Sequence, residues 1–340
     1  MWSPSVDGGE WDGVAGDLLM VVSGYGASVD PALDSERVVP PRGDGLSASA
    51  EDEDEAFVTP AEDGGHGDCS PDCGAPLKAV RPVRPALVPV RDEVLFSYSG
   101  RIARRVDLRS LAPGVEVTVA VINVWSCILN YRELSKAPSA PARLNTAVGL
   151  QLNEVDSERV AWFAGSLGAD FALTPYKQWS HVNLLFFPIV ESKRFYLLCV
   201  NFETERLEII DSSASTEATA LKYGDTPDNV KLLLYEYFKK VREGFLSGVC
   251  LNLETKRMPM KWRDSRNTID CGVYVMRHME SFLGESVGSW VCGLAKGDRA
   301  ELNRLRLHYM KEMCTFDVNV HRTSNVARAL RFVSTSSTAT

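Results

Sequence analysis

Residues 184–213 constrain the fold more than any other part of this chain. Leu184-Leu185-Phe186-Phe187-Pro188-Ile189 reads as a strand, and a turn at 190–193 leads to a second, Phe195 to Phe202. Glu203-Thr204-Glu205 turns the chain into a third strand, Leu207-Glu208-Ile209-Ile210, which Asp211-Ser212-Ser213 ends. Strand, turn, strand and turn in quick succession make an antiparallel meander. The second strand is almost continuously apolar, the mark of a central strand buried on both faces.

The remaining segments read mostly as helices. Val119, Ile122, Trp125 and Leu129 share one face of a helix over about 116–131. Ser139-Ala140-Pro141-Ala142 breaks the pattern, and a second helix is expected over 153–166. Thr226-Pro227-Asp228 starts another, with a capping hydroxyl, a first-turn proline and an acid at the positive end. Its apolar stripe runs through Val230, Leu233, Leu234, Tyr237, Phe238 and Val241 up to Gly244. A helix beginning at Cys271 buries Val275, Met276, Met279, Phe282 and Leu283, and a last one covers about 299–314. Helices segregated from an antiparallel sheet imply an α+β domain.

Charge divides the chain. Of a net −8, residues 1–76 carry 17 acids against Arg37 and Arg42, a net of −15, leaving +7 for the rest. Such an acidic, Gly/Ser/Pro-rich segment buries too little apolar surface to offset its ordering entropy. Residues 1–76 are therefore expected to be a disordered tail and 77–92, with prolines 82, 85 and 89, an extended linker. A folded domain is expected over 93–322 and a second disordered tail over 323–340. The tail pair Cys69 and Cys73, with His66 nearby, matches a two-cysteine half-site but has no second pair close in sequence, so no metal is expected. Eight dispersed cysteines read as reduced thiols, and the N-terminus has no basic n-region. A nuclear or cytoplasmic, non-secreted protein without a membrane span follows as an expectation. Arg101–Arg105 and Arg304–Arg306 read as solvated surface, and no nucleic-acid partner is expected.

Cys271 carries the chemistry. It opens a helix within Asn267-Thr268-Ile269-Asp270-Cys271-Gly272-Val273-Tyr274. A helix N-terminus favours thiolate over thiol, which predicts a lowered pKa. This run resembles the Asp-Cys-Gly nucleophile motif of the Ulp-type, ubiquitin-like protein (SUMO/sentrin-specific) cysteine proteases, especially their plant members. Two further stretches share the resemblance: Arg194-Phe195-Tyr196-Leu197-Leu198-Cys199-Val200-Asn201-Phe202 with Leu207-Glu208-Ile209-Ile210-Asp211-Ser212, and Val121-Ile122-Asn123-Val124-Trp125. It spans roughly 95–320. It implies a papain-like fold of the Ulp type: a central, mostly antiparallel sheet, helices at its sides and the catalytic cysteine at a helix N-terminus.

The resemblance assigns Cys271 as nucleophile and Asp211 as the acid that orients a histidine. That histidine lies 17 residues before the acid in the family, and here Arg194 occupies the place. The family's oxyanion-stabilising Gln is matched by Ser265, or by Asp264 if the register shifts by one. Phe195 follows the histidine position as the family's tail-clamping aromatic does, and Trp125 is the other substrate-binding candidate. Arginine keeps its proton at any neutral pH and cannot relay one. Losing general acid catalysis costs about a hundred- to ten-thousand-fold, and losing an oxyanion donor roughly a further hundred- to thousand-fold. The expected function is an impaired Ulp-type peptidase acting after a Gly-Gly tail of a SUMO-class protein. The alternative is a pseudo-protease that binds such a protein or another partner, and a third reading is a mobile-element remnant. No cofactor is expected. Of the other histidines, His181 should lie at the far end of the hairpin and His278 two turns along the cysteine's own helix.

Overall fold

The computed structural model describes residues 93–148 and 156–337. The acidic segment 1–76, the 77–92 linker and the Cys69/Cys73/His66 group lie outside the described residues. The ordered chain opens with a hairpin, β1 (Val94–Tyr98) and β2 (Arg101–Arg104), followed by a single turn, α1 (Arg105–Leu108). Helix α2 (Val119–Arg132) follows, and after it come β3 (Arg143–Asn145) and α3 (Ser157–Phe171). The meander forms as expected: β4 (Leu184–Glu191), β5 (Arg194–Asn201) and β6 (Arg206–Ile210).

The sheet has five strands in the order β3-β4-β5-β6-β7, where β7 is Glu254–Arg257. Its centre is antiparallel, whereas both edge strands join in parallel. The short, polar edge strands carry no alternating apolar signal, which is why the sequence shows only the central three. The β4–β5 turn places Ser192 and Lys193 at φ 47° and 63°. Positive φ at both turn residues suits the twist of a two-residue hairpin. The turn pairs Glu191 with Arg194 and sets the register of β5.

Strand β5 explains its own composition. Phe195, Leu197 and Cys199 enter one core with Leu184, Phe186 and residues of α2 and α7 (Cys271–Ser281). Tyr196, Leu198 and Val200 enter a second core, on the opposite face, with α3 and the helices α5 (Thr226–Lys240) and α6 (Gly244–Asn252). A short helix, α4 (Thr219–Tyr223), precedes α5. Helix α8 (Arg299–Thr315) closes the first core.

Several expectations change in detail. Helix α2 buries most of its circumference rather than one face, because β2, β3, α7 and α8 all pack on it. The Thr226 hydroxyl does not cap α5; Asp225 holds the cap position and Thr226 donates to Glu191 Oε1 at 2.5 Å. Leu283 lies beyond the end of α7 and is exposed. Where a disordered tail is expected from 323, helix α9 spans Arg322–Ser337. Its buried Asn325 donates to the carbonyls of Leu95 (2.8 Å) and Cys314 (3.0 Å), and Ala329 packs one turn later into the first core. Arg328 pairs with Glu93, so charge as well as packing holds α9 to the start of the domain. No helix among the described residues is long and apolar enough to cross a membrane.

Candidate functional site

One end of the sheet gathers the sequence-derived candidates. Arg194 starts β5, Asp211 follows β6, and Cys271 starts α7. The loop before Cys271 returns to the sheet through two backbone bonds, Met258 N–H to the Ile209 carbonyl (2.9 Å) and Asp264 N–H to the Ser212 carbonyl (2.8 Å). These bonds tether the cysteine loop to the strand that ends at Asp211.

Asp270 and Gly272 fix the cysteine between them. The Asp270 Oδ1 accepts from Arg306 Nε (2.9 Å) and Nη2 (2.5 Å), and its Oδ2 from Asn267 Nδ2 (2.8 Å). Arg306 is fully buried and also donates to the Ser110 and Ala112 carbonyls, so its charge is paired and its donors are used. The solvated reading of Arg304–Arg306 therefore fails at Arg306, just as Arg101 and Arg105 are held by Asp170 and Glu93. At Gly272 a Cβ would lie 2.7 Å from Val117 Cβ. That close approach accounts for the glycine after the cysteine. Gly272→Ala is expected to cost about 1–3 kcal/mol through overpacking; thermal unfolding beside wild type measures it.

Cys271 is buried, with Sγ accepting from the Phe195 backbone N–H at 3.4 Å and lying 3.7 Å from the Thr268 carbonyl. Its pKa lies above the ordinary thiol value, against the expectation of a lowered one. Burial is the largest cause, and the Phe195 N–H, the Arg194 charge and the Gly272 N–H only partly offset it. Desolvation outweighs the helix end because the charged thiolate loses its water.

Asp211 is already occupied. Its Oδ1 accepts from the Ser213 N–H (2.8 Å), and its Oδ2 from Lys222 Nζ (2.5 Å) and the Tyr223 hydroxyl (2.7 Å). Arg257 Nη2 stands 3.7 Å away. Burial lowers the Lys222 pKa, as do the Arg257 and Arg194 charges, while Asp211 opposes them. Arg194 does not pair with Asp211; its Nη2 donates to the Asn267 carbonyl at 3.4 Å. Lys222, Tyr223 and Arg257 were not legible as site residues, since nothing in their local sequence ties them to a carboxylate 11 to 46 positions earlier.

The other candidates disperse. Ser265 is exposed in the loop, and no hydrogen bond joins it to Cys271. Asp264 accepts from the Arg266 N–H instead. Trp125, the other substrate-binding candidate, is fully buried: its Nε1 donates to the Met276 carbonyl (3.2 Å), and Tyr309 packs on its ring. The Phe195 ring is likewise core, and what reaches the site is its backbone N–H.

Among the described residues no histidine hydrogen-bonds to Cys271 or Asp211. His181 is exposed in the turn Trp179–His181, and His308 lies 3.9 Å from Glu280. His278 is fully buried, accepts from Trp262 Nε1 (3.0 Å), and burial pushes its pKa down to about 3. It is a neutral core residue. Beside the cysteine loop, a cleft of about 670 Å³ is lined by Pro113, Arg266, Asn267, Thr268, Arg299 and Asn303, among others.

Residues 154–291 match the Ulp1 protease family, C-terminal catalytic domain. Among curated proteins none matches the chain. Three solved structures are similar to the chain at low identity. The yeast Ulp1 protease domain, in complex with Smt3, the yeast orthologue of SUMO, is 15% identical over 65% of this chain and 87% of that one, TM-score 0.44. The Chaetomium thermophilum Ulp1-like SUMO protease catalytic domain is 17% identical over 68% and 84%, TM-score 0.43. A de-sumoylating protease is 13% identical over 71% and 93%, TM-score 0.40.

Proposed function

We propose that the chain is a member of the Ulp1 protease family, whose catalytic-domain model matches residues 154–291, and that its catalytic domain binds a SUMO-class ubiquitin-like protein with little or no turnover. One observation carries this reading: the Asp211 carboxylate is taken by Lys222 and Tyr223, and Arg194 stands where the resemblance puts the histidine. A peptidase of this type needs a base to take the thiol proton and return it to the leaving amine. Arg194 can do neither. The raised pKa of Cys271 supports the same reading, because a protonated thiol is a poor nucleophile. Ser265, exposed and shorter than glutamine, is a weak substitute for an oxyanion donor.

A second reading is a slow peptidase, favoured by the Phe195 N–H on Sγ and by the helix end beneath it. Two measurements separate them. Calorimetry with SUMO-class proteins should give a measurable affinity, and no affinity for any of them contradicts the binding role. A SUMO vinyl sulfone ending in Gly-Gly should leave Cys271 unlabelled at neutral pH, whereas rapid labelling establishes the peptidase.

A further inference from the structure

Three cations meet the carboxylates of Asp211 and Glu191 at the end of the sheet. Arg194, Lys222 and Arg257 converge there, and Asp211 is engaged by the last two. Among the described residues Arg194 has no carboxylate oxygen within 4.0 Å; its one hydrogen bond, to the Asn267 carbonyl, is long at 3.4 Å. Glu191, its cross-strand neighbour, accepts instead from Thr226. The guanidinium thus stands over the loop that delivers Cys271, half-buried, with donors to spare.

We propose that Arg194, at the loop that delivers Cys271, forms a carboxylate-recognition site, so that the chain prefers the free C-terminal carboxylate of a mature ubiquitin-like protein to the same tail in amide linkage. The inference rests on the reading of the domain as a ubiquitin-like-protein binder and names the form it takes. A guanidinium presents a rigid fork of N–H groups that matches a carboxylate in bidentate fashion. An amide offers one carbonyl acceptor, and its N–H meets the fork donor against donor. Burial keeps Cys271 neutral, so no thiolate competes for Arg194. The first backbone N–H groups of α7 add partial positive charge beside Cys271. In reaction terms the site fits the product of Gly-Gly hydrolysis, and a hydrolytic peptidase must supply that ligand.

The test is isothermal titration of the full chain with one SUMO-class protein in two forms, ending in Gly-Gly carboxylate or in Gly-Gly amide. The carboxylate form is expected to bind about tenfold more tightly or better, as charged hydrogen bonds commonly provide. Arg194→Gln should erase the difference, bringing the affinity for the carboxylate form down to that for the amide form. Equal affinity of wild type for both forms overturns the carboxylate preference while leaving the binding role intact. Failure of wild type to bind either form overturns both.

Discussion

Arg194→His combined with Lys222→Met is expected to raise cleavage of a SUMO-class precursor by about a hundred- to ten-thousand-fold, the range that a positioned acid–base group provides. Arg194 lies at the sheet end that also holds Asp211 and Cys271, and its guanidinium already reaches the cysteine loop. An imidazole placed there needs Asp211 to select its tautomer and to stabilise its charged form. Asp211 cannot do so while Lys222 Nζ sits 2.5 Å from Oδ2. The single Arg194→His change is therefore expected to gain only about tenfold, and removal of the ammonium supplies the rest. Lys222→Met keeps an unbranched side chain and removes the charge that stands over the Tyr223 ring. A folded double variant no faster than wild type would show that the missing proton carrier is not what limits this site.

Arg306→Met is expected to lower the stability of the domain by about 3–5 kcal/mol, the usual cost of removing one partner of a buried ion pair. For a domain of this size that corresponds to a melting temperature lower by roughly ten degrees. The change leaves Asp270, mostly buried at the cap of α7, without its two guanidinium bonds, and frees the Ser110 and Ala112 carbonyls. The replacement fills similar volume, so the effect reports lost charge pairing rather than a cavity. Asp270→Asn, which keeps the shape and one acceptor, should cost less. Thermal unfolding of both variants beside wild type reads the order directly; a drop of under a degree for Arg306→Met would remove the pair from the account of how Cys271 is held.

Local pattern and long-range pairing explain what the sequence discloses. The three central strands, the start of α7 at Cys271 and the span of α8 are legible because apolar runs, turn residues and helical spacing are local. Continuous hydrophobicity in β5 correctly signals two buried faces. The parallel edge strands β3 and β7 are hidden, since three or four largely polar residues carry no periodic signal and owe their pairing to β4 and β6. Helix α9 is hidden for a related reason: Asn325 looks polar but spends its amide on buried carbonyls from two other elements.

At the site, motif spacing brings Arg194, Asp211 and Cys271 to one end of the sheet, yet it is silent on what surrounds them. Lys222 reaches Asp211 from a helix after the meander, and Arg306 reaches Asp270 from 36 residues downstream. Both pairings are made by the tertiary fold and leave no local trace. The pKa of Cys271 misled for a similar reason: the helix end is visible in the sequence, whereas the burial that outweighs it is not.

The central claim is that Cys271 carries no activated thiolate. Peptide-resolved alkylation of Cys271 as a function of pH, with Cys271→Ser as the blank, measures it most directly. The account predicts a rate that stays low through neutrality and rises only above the ordinary thiol range, because burial holds the folded-state pKa up. An alkylation rate that reaches its plateau below pH 7 would mean a stabilised thiolate, and would contradict the account.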